Sequence, residues 1–291
     1  MPIPIPESAR ALLGRVNAQE AHLGLRLSRY ASATVEERDG RLKFSQEQQS
    51  RELQQICQCR GAESAYRAAL GARNAMLDAL PAPVKRMDLT SAWRLVAGLS
   101  GGGALENAAM TLHPIYGVPI IPGSSLKGLA RAYAVTCWLP EQPDKAAAWQ
   151  QTLRVFGNMS SAPWVRDLAS KTCARLNLNA LPQGQDDAGT VVFHDAWPLS
   201  VPKIEVDIVN NHHKPYYQDL NEFPADWQSP EPSYFAAVAP NTQFSFALSL
   251  RHSCIESCGG LLDLAALWLQ RGLADLGAGA KTAAGYGHFL E

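Results

Sequence analysis

The sequence predicts an α+β fold, and three observations support that prediction. From residue 93 onward, short segments with strand-type patterns alternate with longer segments whose apolar residues have helical spacing. Residues 1–86 are predicted to be mostly helical, and a proline-rich stretch at 196–243 has little regular pattern. The predicted order is strand, helix, strand, insertion, strand, helix, strand. This is the βαββαβ pattern of a ferredoxin-like (RRM-type) core, with the insertion between strands two and three.

The N-terminal part is predicted to hold three helices rich in Ala, Leu, Gln, Glu and Arg. Pro81 and Pro83 end the last of them, because proline lacks a backbone N–H and disfavours a helical residue before it. We therefore predict a helical extension at 1–86 and a core domain at 87–291. The predicted helices of the extension cover residues 11–16, 47–57 and 62–80.

Each element of the core domain is predicted from the spacing of its apolar residues. Strict alternation predicts a half-buried strand at 244–250, and the i, i+3, i+4 spacing predicts helices at 124–138 and 261–273. A glycine-rich stretch at 277–287 leads into a final edge strand. The remaining predicted segments are strands at 93–99, 118–121, 190–195 and 288–291 and helices at 146–155 and 164–176.

The composition is that of an ordinary globular protein. Apolar residues make up 46% and charged residues 18% of the 291 residues, and the net charge is −1, so no global positive field attracts nucleic acid. No signal peptide and no long apolar run is found, and we expect a cytoplasmic location without membrane contact. The six cysteines lack a zinc-ribbon spacing, so we expect free thiols, no bound metal and no cofactor.

A Pro-Gly-Ser-Ser turn before the helix at 124–138 is the first candidate binding site. Gly123 permits the turn, and Ser124 or Ser125 is predicted to cap the helix. Lys127 and Arg131 follow four residues apart, which places them on one helix face. Unpaired N–H groups, two hydroxyls and two cations together favour an anion such as phosphate, although a capped helix without a ligand shows the same pattern.

The glycine-rich stretch at 277–287 is the second candidate binding site. A nucleotide-binding P-loop is disfavoured, because the motif requires a second glycine directly before its lysine and this sequence has alanine there. Gly279, Lys281 and Thr282 instead belong to a loop whose glycines are predicted to bring its backbone close to another backbone, with Lys281 supplying a charge for a sugar-phosphate chain. We predict that the two candidate sites converge, with Lys127 and Lys281 within about 20 Å of each other, a few phosphate spacings of stretched single strand.

The insertion at 196–243 supplies two further candidates. His212 and His213 could join His194 and Asp195 in a metal or general-base site, but the spacing matches no metal motif, so a polar loop whose histidines stack or form hydrogen bonds is the favoured explanation. Tyr216 suits stacking on an RNA base, and packing within the loop is its alternative explanation.

Several blocks of sequence carry a family resemblance. Residues 117–128, 156–157, 193–198 and 277–287 are similar to blocks of the RAMP superfamily of CRISPR-associated proteins. Residues 17–30 and 207–217 resemble the family of sixth Cmr subunits, which is part of the type III-B effector complex. The resemblance touches most of the chain.

This resemblance implies a ferredoxin-like RNA-binding core in a multi-subunit ribonucleoprotein. Its implied partners are the 3′ part of a guide crRNA, target RNA and other Cmr-type RAMP subunits. His212 and Tyr216 are predicted RNA contacts from their chemistry alone. The residues that the resemblance places at guide phosphates are Gly123, Ser124, Ser125, Lys127, Arg131, Gly279, Lys281 and Thr282.

The resemblance also bears on catalysis. A sibling subunit cuts target RNA with an aspartate in the loop after strand one, whereas residues 100–116 contain Glu106 and no aspartate, so we expect no RNA cleavage. Two alternatives stay open. One is a RAMP endoribonuclease that processes precursor crRNA with His113 or His22 as acid–base, and the other is a structural subunit whose glycine-rich loops contact only protein.

Overall fold

A computed structural model provides the structure of the chain. It describes residues 21–28, 35–38, 41–44, 46–98, 110–158, 163–176, 187–211, 230–251 and 260–290, together with Ser8, Ala11, Leu178, Tyr216, Phe223 and Asp226. The described elements form a mixed α/β fold with an antiparallel sheet. No helix in these described ranges is long and apolar enough to cross a membrane.

The described helices, in chain order, are α1 (Leu23–Ser28), α2 (Gln46–Ile56), α3 (Glu63–Asp78), α4 (Gly123–Tyr133), α5 (Lys145–Phe156), α6 (Pro163–Leu176) and α7 (Leu261–Asp275). The described strands are β1 (Val35–Arg38), β2 (Arg41–Phe44), β3 (Val84–Ser91), β4 (Gly157–Asn158), β5 (Asp187–Ala188), β6 (Val191–Phe193), β7 (Trp197–Pro198), β8 (Ile204–Asn211), β9 (Glu231–Val238), β10 (Gln243–Leu250) and β11 (Phe289–Leu290). A π-helical segment, Ala134–Trp138, extends α4, and a single α-helical turn, Leu139–Glu141, follows it.

The chain divides into two compact units, each assembled from separate stretches. The first unit comprises Met1–Arg67, Val96–Pro119 and Ser200–Thr242, and the second comprises Ala68–Leu95, Ile120–Leu199 and Gln243–Glu291. The predicted domain ranges, 1–86 and 87–291, stay a prediction.

The second unit is built on an antiparallel sheet with the strand order β11-β3-β10-β6, in which β7 also pairs with β10. Helix α4 lies in the connection from β3 to β6, and α7 lies in the connection from β10 to β11. Because β10 is antiparallel to both of its neighbours, β3 and β6 run in the same direction with one strand between them.

The first strand of this sheet is not where the sequence predicted it. Residues 93–99 were expected to form it, but the strand is Val84–Ser91, and Trp93 follows in a bend. The strand begins directly after Pro83, the second of the two prolines that follow α3. Its charged residues Lys85 and Arg86 are exposed or paired at its start, which hides the alternation that would mark a half-buried strand.

Strand β10 is buried from Phe244 to Leu250, on both faces. On one face Phe244 and Phe246 contact Phe289 edge to face, with ring centroids 5.8 and 5.3 Å apart. On the other face Ser245 and Ser249 are also buried. The prediction of a half-buried strand is therefore wrong, since buried serines occupy the second face, and the Ser249 hydroxyl shares a hydrogen bond with His194.

Helices α4 and α7 pack closely on one another. A side-chain carbon on Gly272 would lie 3.3 Å from Leu129 Cγ and 3.4 Å from Tyr133 Cβ, so glycine permits the approach. Trp268 of α7 is fully buried and stacks on Phe156, with ring centroids 5.5 Å apart. These contacts anchor the start of the glycine-rich stretch, which follows α7 directly.

In the first unit, β8 and β9 form a long antiparallel hairpin from Ile204↔Val238 to Asn211↔Glu231. The sequence predicted little regular structure across 196–243, so this part of the prediction is wrong. Leu53 and Ile56 of α2 are fully buried in this unit. Elsewhere the predicted helices at 47–57 and 62–80 are confirmed as α2 and α3, whereas the predicted helix at 11–16 lies outside the described residues apart from Ala11.

The described cysteines are free thiols, as expected. Cys57, Cys59, Cys137 and Cys173 form no disulfide, and burial raises the pKa of Cys57 to about 12. Cys254 and Cys258 lie outside the described residues. Within the described ranges, no group of three His, Cys, Asp or Glu side chains is placed to hold a metal ion.

Candidate nucleic-acid interface

The start of α4 is held against the end of β6 by Gly123. A side-chain carbon at this position would overlap the carbonyl oxygen of Phe193, so no other residue fits without displacing the helix. The Gly123 N–H donates to Asp195 Oδ1 at 2.7 Å. The carboxylate therefore caps the helix and complements the positive end of its dipole.

This capping arrangement corrects the prediction for Ser124 and Ser125. The N-cap is Pro122, no side chain of the turn itself caps the helix, and both serines lie inside its first turn with exposed side chains. The N–H groups of Ser125 and Leu126 donate to the Pro122 carbonyl at 2.9 and 3.1 Å. The side chains of this turn, rather than its first backbone amide, are therefore what it offers to an anion.

Two further cations, Arg131 and Arg251, interact electrostatically with Lys127, which follows these serines in α4. Burial lowers the pKa of Lys127 below its usual value, and the nearby charges of Arg131 and Arg251 lower it further. Burial also lowers the pKa of Arg131. Among the described residues, the charged groups that shift the pKa of Lys127 are both positive. We call Lys127, Arg131 and Arg251 the cation cluster; an anion bound there would relieve the repulsion within it.

Arg251 is the member of the cation cluster that sequence reasoning missed. It follows β10 directly, and its backbone N–H donates to Thr190 at 2.8 Å. Its Nε–H donates to the Gly189 carbonyl at 3.1 Å, which fixes the side chain beside the start of β6. A single basic residue directly after an apolar strand was the only signal in the sequence, and it does not reveal which helix the residue faces.

The glycine-rich stretch forms a tight loop closed by backbone hydrogen bonds. Ala278 N–H donates to Gly287 at 2.8 Å, and a side-chain carbon on Gly287 would overlap the Ala278 carbonyl oxygen. The predicted close approach of backbone to backbone is therefore confirmed. Lys281 adopts a left-handed conformation with φ of 61°, and a 3-10 turn, Thr282–Ala284, follows it.

The predicted residues of this loop differ in exposure. Gly279 is exposed, whereas Lys281 and Thr282 are half-buried. The loop and α4 belong to the same unit and are linked through α7, which packs on α4 at Gly272. The predicted convergence of Lys127 and Lys281 stays a prediction.

The histidines named in the sequence separate into different environments. His194 is half-buried, and its Nε2 shares a hydrogen bond with Ser249 Oγ at 2.9 Å. Asp195 accepts the Gly123 N–H at the start of α4, and no group placed to hold a metal is found among the described residues, so the metal or general-base site that includes His212 stays a prediction. His212 lies outside the described residues, and Tyr216 has an exposed side chain, so the predicted RNA contacts of both stay predictions.

The two histidines suggested for acid–base catalysis each accept backbone N–H groups of nearby residues. Nδ1 of His22 accepts the N–H of Leu25 at 3.2 Å, and Nε2 of the same ring is buried. Nδ1 of His113 accepts the N–H groups of Ile115 and Tyr116 at 3.3 and 3.4 Å. These contacts hold the local backbone and occupy one ring nitrogen of each histidine.

Arg73 of α3 was also missed, and it organises the segment that carries Asp195. Its guanidinium is almost fully buried and donates to the carbonyls of Asp195 and Ser245 at 2.9 and 3.4 Å. The same group lies over the Trp197 ring, 5.8 Å from the centroid. Arg73 therefore fixes the backbone from which Asp195 reaches α4.

We expect the stability of the protein to depend on His194 in mildly acidic solution. Burial lowers the pKa of His194 below 6.5 and Arg73 adds repulsion, while Asp195 acts in the opposite direction. Because the unfolded chain binds the proton more readily, the contribution is complete above pH 6.5 and is lost as the pH falls below it. Urea unfolding of the wild type and of His194→Gln across this range measures the effect, and equal pH dependence of the two proteins would contradict it.

Comparison with known proteins identifies the family. The sequence model of the RAMP superfamily matches residues 94–289. The chain is 33% identical over 230 residues to the CRISPR system Cmr subunit Cmr6 of Pyrococcus furiosus, and the match covers 68% of this chain. The chain spans 65% of the length of that relative.

Comparison with solved structures gives two matches that concern Cmr proteins. A chain of the type III-B Cmr-beta complex bound to cognate target RNA aligns with a TM-score of 0.50 and 18% identity, over 78% of this chain and 64% of that one. The crystal structure of Cmr6 from Pyrococcus furiosus aligns with a TM-score of 0.39 and 28% identity, over 73% of this chain and 99% of that one. From the extent of the sequence match, the chain belongs to the RAMP superfamily.

Proposed function

We propose that this chain is a non-catalytic subunit of a type III-B CRISPR (Cmr) ribonucleoprotein effector complex. In this role it binds the 3′ part of the guide crRNA and helps to assemble the backbone of the complex. Its partners are the crRNA, the target RNA and other Cmr-type RAMP subunits, and it acts in the cytoplasm in antiviral defence.

The cation cluster is the observation that carries this proposal. Burial lowers the pKa of Lys127, the charges of Arg131 and Arg251 lower it further, and two exposed serines lie in the helix turn that contains Lys127. Arginine and lysine beside hydroxyl donors suit the phosphates of a nucleic-acid backbone, which fix the position of the strand without reading its sequence. A net charge of −1 means that this local cluster, rather than the whole surface, would supply the attraction.

The topology and the comparisons give further support. The strand order β11-β3-β10-β6, with helices in the first and last connections, fits the proposed ferredoxin-like core, a fold that RNA-binding proteins share. The relative from Pyrococcus furiosus is named as a Cmr subunit, and the similar complex is described as bound to target RNA. We extend those properties to this chain as part of the proposal.

The non-catalytic role is proposed from the hydrogen bonds of the two candidate histidines and from the residue types at 100–116. The ring nitrogens of His22 and His113 that face the backbone already accept N–H groups. Residues 100–116 contain no aspartate, and Glu106 lies outside the described residues. We therefore propose that a neighbouring subunit, and not this chain, supplies any cleavage of RNA.

Reconstitution with the other Cmr subunits tests both parts of the proposal. We expect the complex that contains this chain to retain crRNA, and the complex that lacks it to lose protection of the 3′ part of the guide against nuclease. The isolated chain is expected to leave precursor crRNA intact. Cleavage of precursor that disappears in His113→Ala, His22→Ala or Glu106→Ala would instead support the endoribonuclease alternative.

A further inference from the structure

An exposed tryptophan lies directly after the first strand of the sheet. Trp93 is 46% exposed, although it lies two residues after Ser91, which is fully buried at the end of β3. The guanidinium carbon of Arg94 lies 5.0 Å from the centre of the Trp93 ring, which is the geometry of a cation–π contact. A large indole ring is therefore held in place by a neighbouring cation while much of its surface faces solvent.

The backbone around this pair is fixed to the end of the glycine-rich loop. The N–H of Ala92 donates to the His288 carbonyl at 2.8 Å, and the N–H of Gly287 donates to the Arg94 carbonyl at 2.8 Å. These two bonds flank Trp93 on either side. The ring is thus presented from a rigid segment, so that binding a ligand would cost little ordering of the chain.

The same glycine-rich loop also carries Lys281. The N–H of Tyr286 donates to the Lys281 carbonyl at 3.4 Å, and the next residue, Gly287, is the one bonded to Arg94. Backbone hydrogen bonds therefore connect the segment of Trp93 and Arg94 to the loop that carries Lys281. Aromatic platforms beside positive charge are how proteins bind unpaired nucleotides.

We infer that Trp93 and Arg94 form a stacking platform for one unpaired base of a single-stranded RNA. This inference rests on the proposed function, because it adds a base contact to the phosphate contacts of the cation cluster. The base would lie on the exposed indole surface, with Arg94 contributing charge beside the ring. Because every base has a π face, the platform would accept any base sequence, which suits a subunit that must hold different guides.

Binding of fluorescently labelled single-stranded RNA to the full chain tests the platform. We expect Trp93→Ala to weaken binding about 5- to 160-fold, the contribution of one stacked base, and Trp93→Phe to retain most of the affinity. Leu290→Ala is the matched control, because Leu290 is 59% exposed at the end of the adjacent strand β11 and carries no ring to stack. In the reconstituted complex, RNA that contains 5-bromouridine should crosslink to the peptide that contains Trp93.

The outcomes separate this inference from the proposed function. If Trp93→Ala binds RNA like the wild type and no crosslink forms, while neutralising the cation cluster weakens binding, the platform is refuted and the proposed function stands. If neutralising the cation cluster also leaves RNA binding unchanged, the proposed function fails. If Trp93→Ala prevents association with other subunits without changing RNA affinity, Trp93 belongs to a protein interface and the inference is wrong.

Discussion

Replacing Gly123 with alanine is expected to destabilise the protein by about 2–4 kcal/mol. The added methyl group would overlap the Phe193 carbonyl oxygen, which belongs to the backbone of β6 and cannot rotate away. Relieving that overlap requires α4 to move from the sheet, which stretches the hydrogen bond from Gly123 N–H to Asp195. The substitution therefore combines overpacking with loss of the helix cap.

Gly128→Ala provides the matched control on the same helix. Gly128 is exposed, and a side-chain carbon there would meet no atom within 4 Å. Alanine should therefore leave the protein unchanged or stabilise it by up to about 1 kcal/mol through its higher helix propensity. Urea unfolding followed by far-ultraviolet circular dichroism compares the two variants, and equal midpoints would show that Gly123 is not needed for close packing.

Elements with a local residue pattern were predicted correctly from the sequence. Elements whose position depends on contacts between distant residues were not. Helix α7 extends from Leu261 to Asp275, close to its predicted range, because its apolar residues repeat with the helical period. Strand β3 covers 84–91 and not the predicted 93–99. The prediction missed it because the charged residues at its start pair with side chains that are distant in the sequence. Lys85 contacts Asp263 at 2.8 Å and Arg86 contacts Asp78 at 2.7 Å.

In the candidate site, too, residues close in sequence were placed correctly, whereas contacts between residues distant in sequence were missed. Spacing alone placed Lys127 and Arg131 on one face of a helix. It could not show that Arg251 joins them, because that contact depends on where β10 ends relative to α4. It also misassigned the helix cap, which Asp195 supplies from 72 residues further along the chain. Pairings across such distances are fixed by the sheet and are absent from any local pattern.

Neutralising the cation cluster is expected to produce the largest loss of RNA binding. In the variant Lys127→Gln/Arg131→Gln/Arg251→Gln, three phosphate contacts would be removed at once. For single-stranded nucleic acid, each contact contributes about 0.7 to the slope of log affinity against log salt concentration. The slope should therefore fall by about 2, and the affinity should fall about 100-fold in 0.1 M salt but only about 30-fold in 0.2 M salt.

The dependence on salt distinguishes lost phosphate contacts from a damaged fold. Unfolding would reduce the binding-competent fraction by the same factor at every salt concentration, whereas counterion release makes the loss shrink as salt rises. Lys171→Gln is the control for charge, since Lys171 is exposed on α6 and is already paired with Asp167 at 2.7 Å. It should bind RNA with nearly the wild-type slope. If the triple variant keeps the wild-type slope, the cation cluster does not contact RNA. Removing three phosphate-binding charges must lower the number of counterions released on binding, and with it the slope.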